Sequence, residues 1–108
     1  MSWVTNTILH YANGTPGYLD RVNAFFEGDQ YGFVSVKDPR LPDGWYGGSK
    51  HLECNLAIGA FNHLDLDGLI RHLRKVDPHD ANLQLMVLEQ EQYRFRIINI
   101  NDEPTTSE

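Results

Sequence analysis

The chain has a single cysteine, Cys54, so no internal disulfide can form and a disulfide-stapled scaffold is excluded. No apolar run reaches the roughly 18 residues of a membrane span, and no membrane partner is expected. Residues 1–7 carry neither a positive segment nor an apolar stretch of the signal-peptide kind, which points to the cytoplasm. Bases are scarce: nine Lys and Arg stand against fifteen Asp and Glu, a formal net charge of −6. Three of the acids, Asp102, Glu103 and Glu108, lie in the base-free segment 101–108, and removing them leaves 12 acids against 9 bases. Non-specific nucleic-acid binding needs Lys and Arg to neutralise phosphates. The clusters Arg71/Arg74/Lys75 and Arg94/Arg96 are local and close to acids, so nucleic acid is not an expected partner. DNA mimicry calls for a larger acidic excess than −6. There is no internal repeat, and no linker before Asn101. Residues 1–100 read as one domain and 101–108 as a disordered acidic tail. With 108 residues and 41% hydrophobic content, the chain can build one core without metal or disulfide.

Residues 3–11 are rich in Trp, Val, Thr and Ile and predict a strand. The run Asn13-Gly14-Thr15-Pro16-Gly17 breaks it. Leu19, Val22, Phe25 and Phe26 then recur at helical spacing up to Gly28. Residues 31–36 predict a second strand, ended by Asp38-Pro39, and a Pro- and Gly-dense loop follows at 40–50. From 52 to 60, Leu52, Cys54, Leu56, Ile58 and Ala60 alternate with His51, Glu53, Asn55, Ala57 and Gly59. This period of two assigns the first set to the core, with Cys54 a small buried hydrophobe.

Asp65 is a natural N-cap for the next helix, Leu64 and Leu69 match a hydrophobic staple, and Asp77-Pro78 is the stop. Leu66, Leu69, Ile70, Leu73 and Val76 form its apolar stripe. Asp67 at its start and Arg71, Arg74 and Lys75 toward its end complement the helix dipole. Residues 83–88 and 93–100 predict two closing strands. The order β-α-β-β-α-β-β suggests an α+β, ferredoxin-like split βαβ with one added strand: an antiparallel sheet with both helices on one face.

The opening Ser2-Trp3-Val4-Thr5-Asn6-Thr7, the loop Trp45-Tyr46-Gly47-Gly48-Ser49-Lys50 and the stretch 89–95 resemble small uncharacterised proteins of actinobacteria and their phages. More remotely they are similar to the YubB-type ferredoxin-like domain of plasmid and phage proteins. The resemblance implies a ferredoxin-like fold, brings no established activity and assigns no catalytic residue.

Several segments invite functional readings. Trp45 and Tyr46 between glycines offer flat apolar area of the kind interfaces use; the plainer reading is a loop whose Trp folds back to cap an open end of the core. The Gly47 and Gly48 amides with Lys50 can receive an anion, although the two glycines five apart of a P-loop are missing. His51 and Glu53, two apart on one strand face, can do acid–base work only where they line a cleft; otherwise they form a solvated ladder. His63, Asp65 and Asp67 have metal-ligand chemistry, but the cap and first-turn roles already account for the acids. In residues 83–88, Leu83, Leu85 and Val87 face one way, while Met86 and Leu88 face the other, so the second face must also be covered, by a partner, by a second copy or by the loop bearing Trp45. If Tyr93, Phe95 and Ile97 face the core, Arg94 and Arg96 join Met86 and Leu88 in a patch with the residue bias of interface centres. No nucleophile–base pair stands out, and no catalytic residue, cofactor or metal is assigned. The expected function is non-enzymatic: binding to a protein partner or to a second copy through the open sheet face and the Trp45-Tyr46 loop. The alternative is a small-molecule- or anion-binding domain, or an enzymatic one, with a pocket between sheet and loop and His51 and Glu53 as its polar groups.

Overall fold

The computed structural model describes residues 3–26 and 32–101. Along the chain run β1 (Val4–Tyr11), α1 (Tyr18–Asn23) with a 3-10 turn at Ala24–Phe26, β2 (Val34–Ser35), β3 (Asn55–Asn62), α2 (Leu66–Val76), β4 (Gln84–Glu89) and β5 (Arg96–Asn99). The strands form one antiparallel sheet in the order β2-β3-β1-β4-β5. The fold is therefore α+β. No helix among the described residues is long and apolar enough to cross a membrane.

Helix α2 forms where its signals place it. The Asp65 carboxylate accepts a hydrogen bond from the Gly68 amide at 3.1 Å, satisfying one of the free donors of the first turn. Leu69 and Leu73 are fully buried, and Leu64, Leu66, Ile70 and Val76 pack around them. Beyond Asp77, the Asn101 side-chain amide donates to the Asp77 and Asp80 carbonyls at 2.8 and 2.9 Å. Arg74 Nε donates to the Ile100 carbonyl at 2.6 Å. Asn101 is thus a clamp on the end of α2 and not the first residue of a free tail. Residues 102–108, the rest of that expected tail, lie outside the described residues, as do Gly28 and Tyr31 from the expected first helix and second strand.

The second strand is shorter than its apolar run predicts. The Asn23 side chain accepts from the Phe33 amide at 2.8 Å and donates to the Phe33 carbonyl at 3.0 Å. With both backbone groups of Phe33 taken by a side chain, strand pairing starts at Val34.

One buried cluster joins both helices to one face of the sheet. Tyr18 and Val22 of α1 and Leu69 and Leu73 of α2 meet Leu9 and Tyr11 of β1, Ala57 and Phe61 of β3, and Leu83, Leu85, Val87 and Ile100. Tyr11 and Tyr18 stack with centroids 5.0 Å apart.

The alternation in β3 is real, but its face assignment is reversed. Ala57 and Phe61 are buried toward the helices, whereas Ile58 is 39% exposed on the opposite side. Leu56 and Ala60 share the side of Ile58 by the strand's period of two. Leu52 and Cys54 precede the strand, and Cys54 is exposed rather than buried. The aromatic residues decide the register: Phe61 stacks on Phe26 at 4.6 Å and meets Phe33 edge-on at 5.3 Å. That cluster forms only on the helix side, and Gly59 makes room for it. A Cβ there would come within 2.5 Å of the Phe61 ring.

Candidate functional site: the open face of the sheet

With both helices on one side, no helix or strand covers the other side of the sheet among the described residues; at its β2 end Val36, whose amide donates to the Leu56 carbonyl at 2.9 Å, is buried outside the core cluster and lines the hollow beside Trp45 and Tyr46. The strand registers fix what it displays. Val34 pairs with Ile58, Ile58 with Ile8, Ile8 with Met86, and Met86 with Ile97. Residues directly opposite in antiparallel strands share a face and lie about 4.5–5.5 Å apart. These pairings therefore draw one continuous apolar row across all five strands, centred on Ile8 of the middle strand. Ile58 is 39% exposed and Ile97 57% exposed; Val34, Ile8 and Met86 are half-buried between their neighbours.

The flanking rows mix apolar residues with amides and one histidine. Ala60, Asn6 and Leu88 lie on one side, and Leu56, His10, Gln84 and Asn99 on the other. Several of these polar groups are already oriented. Asn6 Nδ2 donates to the Leu88 carbonyl at 3.2 Å, Gln84 Nε2 donates to Asn99 Oδ1 at 2.9 Å, and His10 Nδ1 lies 3.1 Å from the Asn82 carbonyl. No Asp, Glu, Lys or Arg occupies a strand position on this face.

Met86 and Leu88 lie where the apolar pattern of β4 places them, opposite the buried Leu83, Leu85 and Val87. The arginines do not join them. Arg96 pairs with Val87, so it points to the helix side, where its Nη2 donates to Glu89 Oε1 at 2.9 Å. Arg94 is exposed in the connection before β5. The expected core trio is also displaced: Tyr93 is 96% exposed, and Phe95 and Ile97 are exposed too. Ile98 and Ile100 take the core positions instead, because the Ile100 amide donates to the Leu83 carbonyl at 3.0 Å and sets the register of β5.

The Trp45-Tyr46 loop is tied to the β2 edge of the sheet. Trp45 Nε1 donates to the Val36 carbonyl at 2.9 Å, and the Leu52 amide donates to the Tyr46 hydroxyl at 3.0 Å. Arg40 closes the turn before it, its Nε and Nη2 donating to the two Asp38 carboxylate oxygens at 2.9 and 2.8 Å. These bonds hold the Asp38 carboxyl well below its ordinary range, at about 2. The loop encloses an open hollow of about 480 Å³ whose wall includes Trp45, Tyr46 and His51. Gly47 and Gly48 adopt positive φ, but neither they nor Lys50 and Glu53 reach that wall. His51 and Glu53 precede β3 and so share no strand face, and the expected ligand set is not assembled.

Sequence reasoning missed Val34, Ile8, Ile58 and Ile97 as surface residues. The available signal was the unbroken run Leu56-Ala57-Ile58-Gly59-Ala60-Phe61, which contains no polar side chain, together with the adjacent pair Ile8-Leu9. Apolar residues on both faces of a strand mean that both faces are covered. No family profile, curated protein or solved structure matches this chain.

Proposed function

We propose that this chain is a cytoplasmic, non-enzymatic protein-interaction module that binds a protein surface, its own included, through the open face of its sheet. The observation that carries the reading is the uncharged apolar row Val34, Ile58, Ile8, Met86 and Ile97. Apolar patches of more than a few hundred Å² are uncommon on monomeric proteins and mark contact sites. Depletion of charge at the centre of the patch is the compositional signature of an interface. The Trp45-Tyr46 loop, held at the β2 edge, extends the same surface.

We further propose that the frame is a ferredoxin-like split βαβ with a fifth strand, as the resemblance to the YubB-type domain suggests. What supports this is the order of the sheet: β3 lies between β1 and β2, β1 lies between β3 and β4, and β5 is added beside β4. The test of function is affinity capture from the native host with the tagged chain and its Met86→Glu variant. A protein recovered in stoichiometric amount and lost with Met86→Glu is the expected result; recovery unchanged by the variant would overturn the reading.

A second reading rests on the hollow of about 480 Å³ under Trp45 and Tyr46. It makes the loop a small-molecule or anion site with His51 as its polar group. A thermal-shift screen of nucleotides, phosphate and divalent cations checks it, and an unmoved Tm across the set removes it.

A further inference from the structure

Resting on the interaction reading above, we infer that the occupant of the open face is a second copy of this chain, the two sheets packing face to face in a two-fold dimer. Three features select the second copy. The first is charge. The chain carries a formal charge of −6, so two copies repel wherever their ionised surfaces meet. The open face is the surface of the sheet on which no strand position holds Asp, Glu, Lys or Arg, and it lets two identical acidic bodies approach without opposing their carboxylates.

The second is self-complementarity. A two-fold interface sets the same patch against itself. The apolar row is symmetric in kind about Ile8. An axis along β1 through Ile8 places Ile58 of one copy over Met86 of the other, and Val34 over Ile97, so apolar meets apolar along the whole row. The flanking polar groups suit the same operation. Asn6, which lies on the axis and so meets its own copy, carries both donors and an acceptor, so its amide can bond a copy of itself, which a carboxylate or an ammonium cannot do. A face with no charge offers a foreign partner little to set register or reject competitors.

The third is area. Strand spacing of about 4.8 Å and a rise of about 3.4 Å per residue give the five strands a flat footprint of roughly 450–500 Å². Side-chain relief raises the accessible area of the face above that footprint, toward the roughly 800 Å² per partner of a standard interface. Sheets stacked this way lie about 10 Å apart with strands within about 30° of each other.

Sedimentation velocity on the full chain, from roughly 1 to 200 μM, tests the inference across the range in which interfaces of this size assemble. The expected result is a species of twice the 12.4 kDa chain mass that dissociates on dilution. Ile58→Glu weakens it about 30-fold or more, the effect of losing one hot-spot contact. Ile97→Lys, at a more exposed edge position, does the same and guards against a folding defect in the first variant; far-UV circular dichroism confirms that both remain folded. In a Cys54→Ser background, Ile8→Cys is captured as a covalent dimer by a short thiol-specific cross-linker that spans the gap between stacked sheets, whereas Lys75→Cys on α2 is not. A monomer at every concentration overturns the inference, and so does a dimer that both charged variants leave intact. If the chain is monomeric yet host capture is still lost with Met86→Glu, a different protein occupies the face and only the identity of the occupant is wrong. If capture also survives Met86→Glu, the interaction reading itself falls.

Discussion

The same substitution at two alanines three residues apart tests which face of β3 is the core. Ala57 is fully buried, and its register partners Leu9 and Ser35 enclose it beneath the helices. Ala60 is exposed on the opposite face. Ala→Leu adds three carbon atoms at each site. At Ala57 there is no space for them, and overpacking of a filled core costs about 1–3 kcal/mol. At Ala60 the new side chain meets solvent or the neighbouring apolar row, and the change stays within about 0.5 kcal/mol. For a chain near 100 residues, about 2 kcal/mol corresponds to a Tm lower by roughly 8–12 °C. Guanidinium unfolding at low protein concentration, where association does not contribute, reads both values. The expected pattern is a lowered midpoint with unchanged slope for Ala57→Leu and a midpoint close to the parent for Ala60→Leu. If Ala60→Leu proves the more disruptive, the two faces of the sheet have been assigned the wrong way round and the docking surface disappears with them.

Removing the α2 cap with Asp65→Ala is expected to cost about 1 kcal/mol in urea unfolding. Gly68→Ala, which ordinarily stabilises a helix by about 1 kcal/mol, is expected to gain little while Asp65 is present, because the new methyl collides with the capping carboxylate; in the Asp65→Ala background the full gain returns. The Asp38 carboxyl, followed by carbon-13 NMR, should titrate at about 2, and in Arg40→Gln it should return toward its ordinary value of 3.8. Because the folded value is the lower one, the contribution of this pair to stability is present above about pH 4 and fades as pH falls toward 2. Tyr18 behaves in the opposite sense. Burial first, then the negative Asp77 and Asp80, raise its hydroxyl above the ordinary 10.0. The folded chain therefore keeps a proton that the unfolded chain releases, and stability is full below pH 10 and declines above it. Tyr18→Phe should abolish that alkaline decline in the unfolding midpoint, and a slope that persists in the variant would show that another group is responsible.

How legible the fold is in the sequence differs from element to element for physical reasons. Helix α2 can be read because its cap, staple, stripe and stop are all local and agree. The two-faced character of β4 is equally plain, since Leu83, Leu85 and Val87 alternate cleanly with Met86 and Leu88. In β3 and β5 both faces are apolar, so periodicity identifies the strand but not its inner side. There the inner side is set by tertiary contacts: Phe61 on Phe26 and Phe33 in β3, and the Ile100-to-Leu83 hydrogen bond in β5. A pattern rule that gives the more regular apolar set to the core then selects Ile58 over Ala57 and Tyr93 over Ile98. For the site, Met86, Leu88, Trp45 and Tyr46 are legible as surface aromatics and apolars. The pairing of Arg96 with Val87, which removes that arginine from the face, depends on a register that no local signal carries.

The borders of the sheet also limit how far it can assemble. Its outer strands are short, two residues in β2 and four in β5, and give an incoming strand little exposed backbone to extend. The helices roof the opposite side. If the bare side is where two molecules meet, its occupation leaves no second open sheet face among the described residues to recruit a third, and the pairing closes on itself instead of extending into fibres.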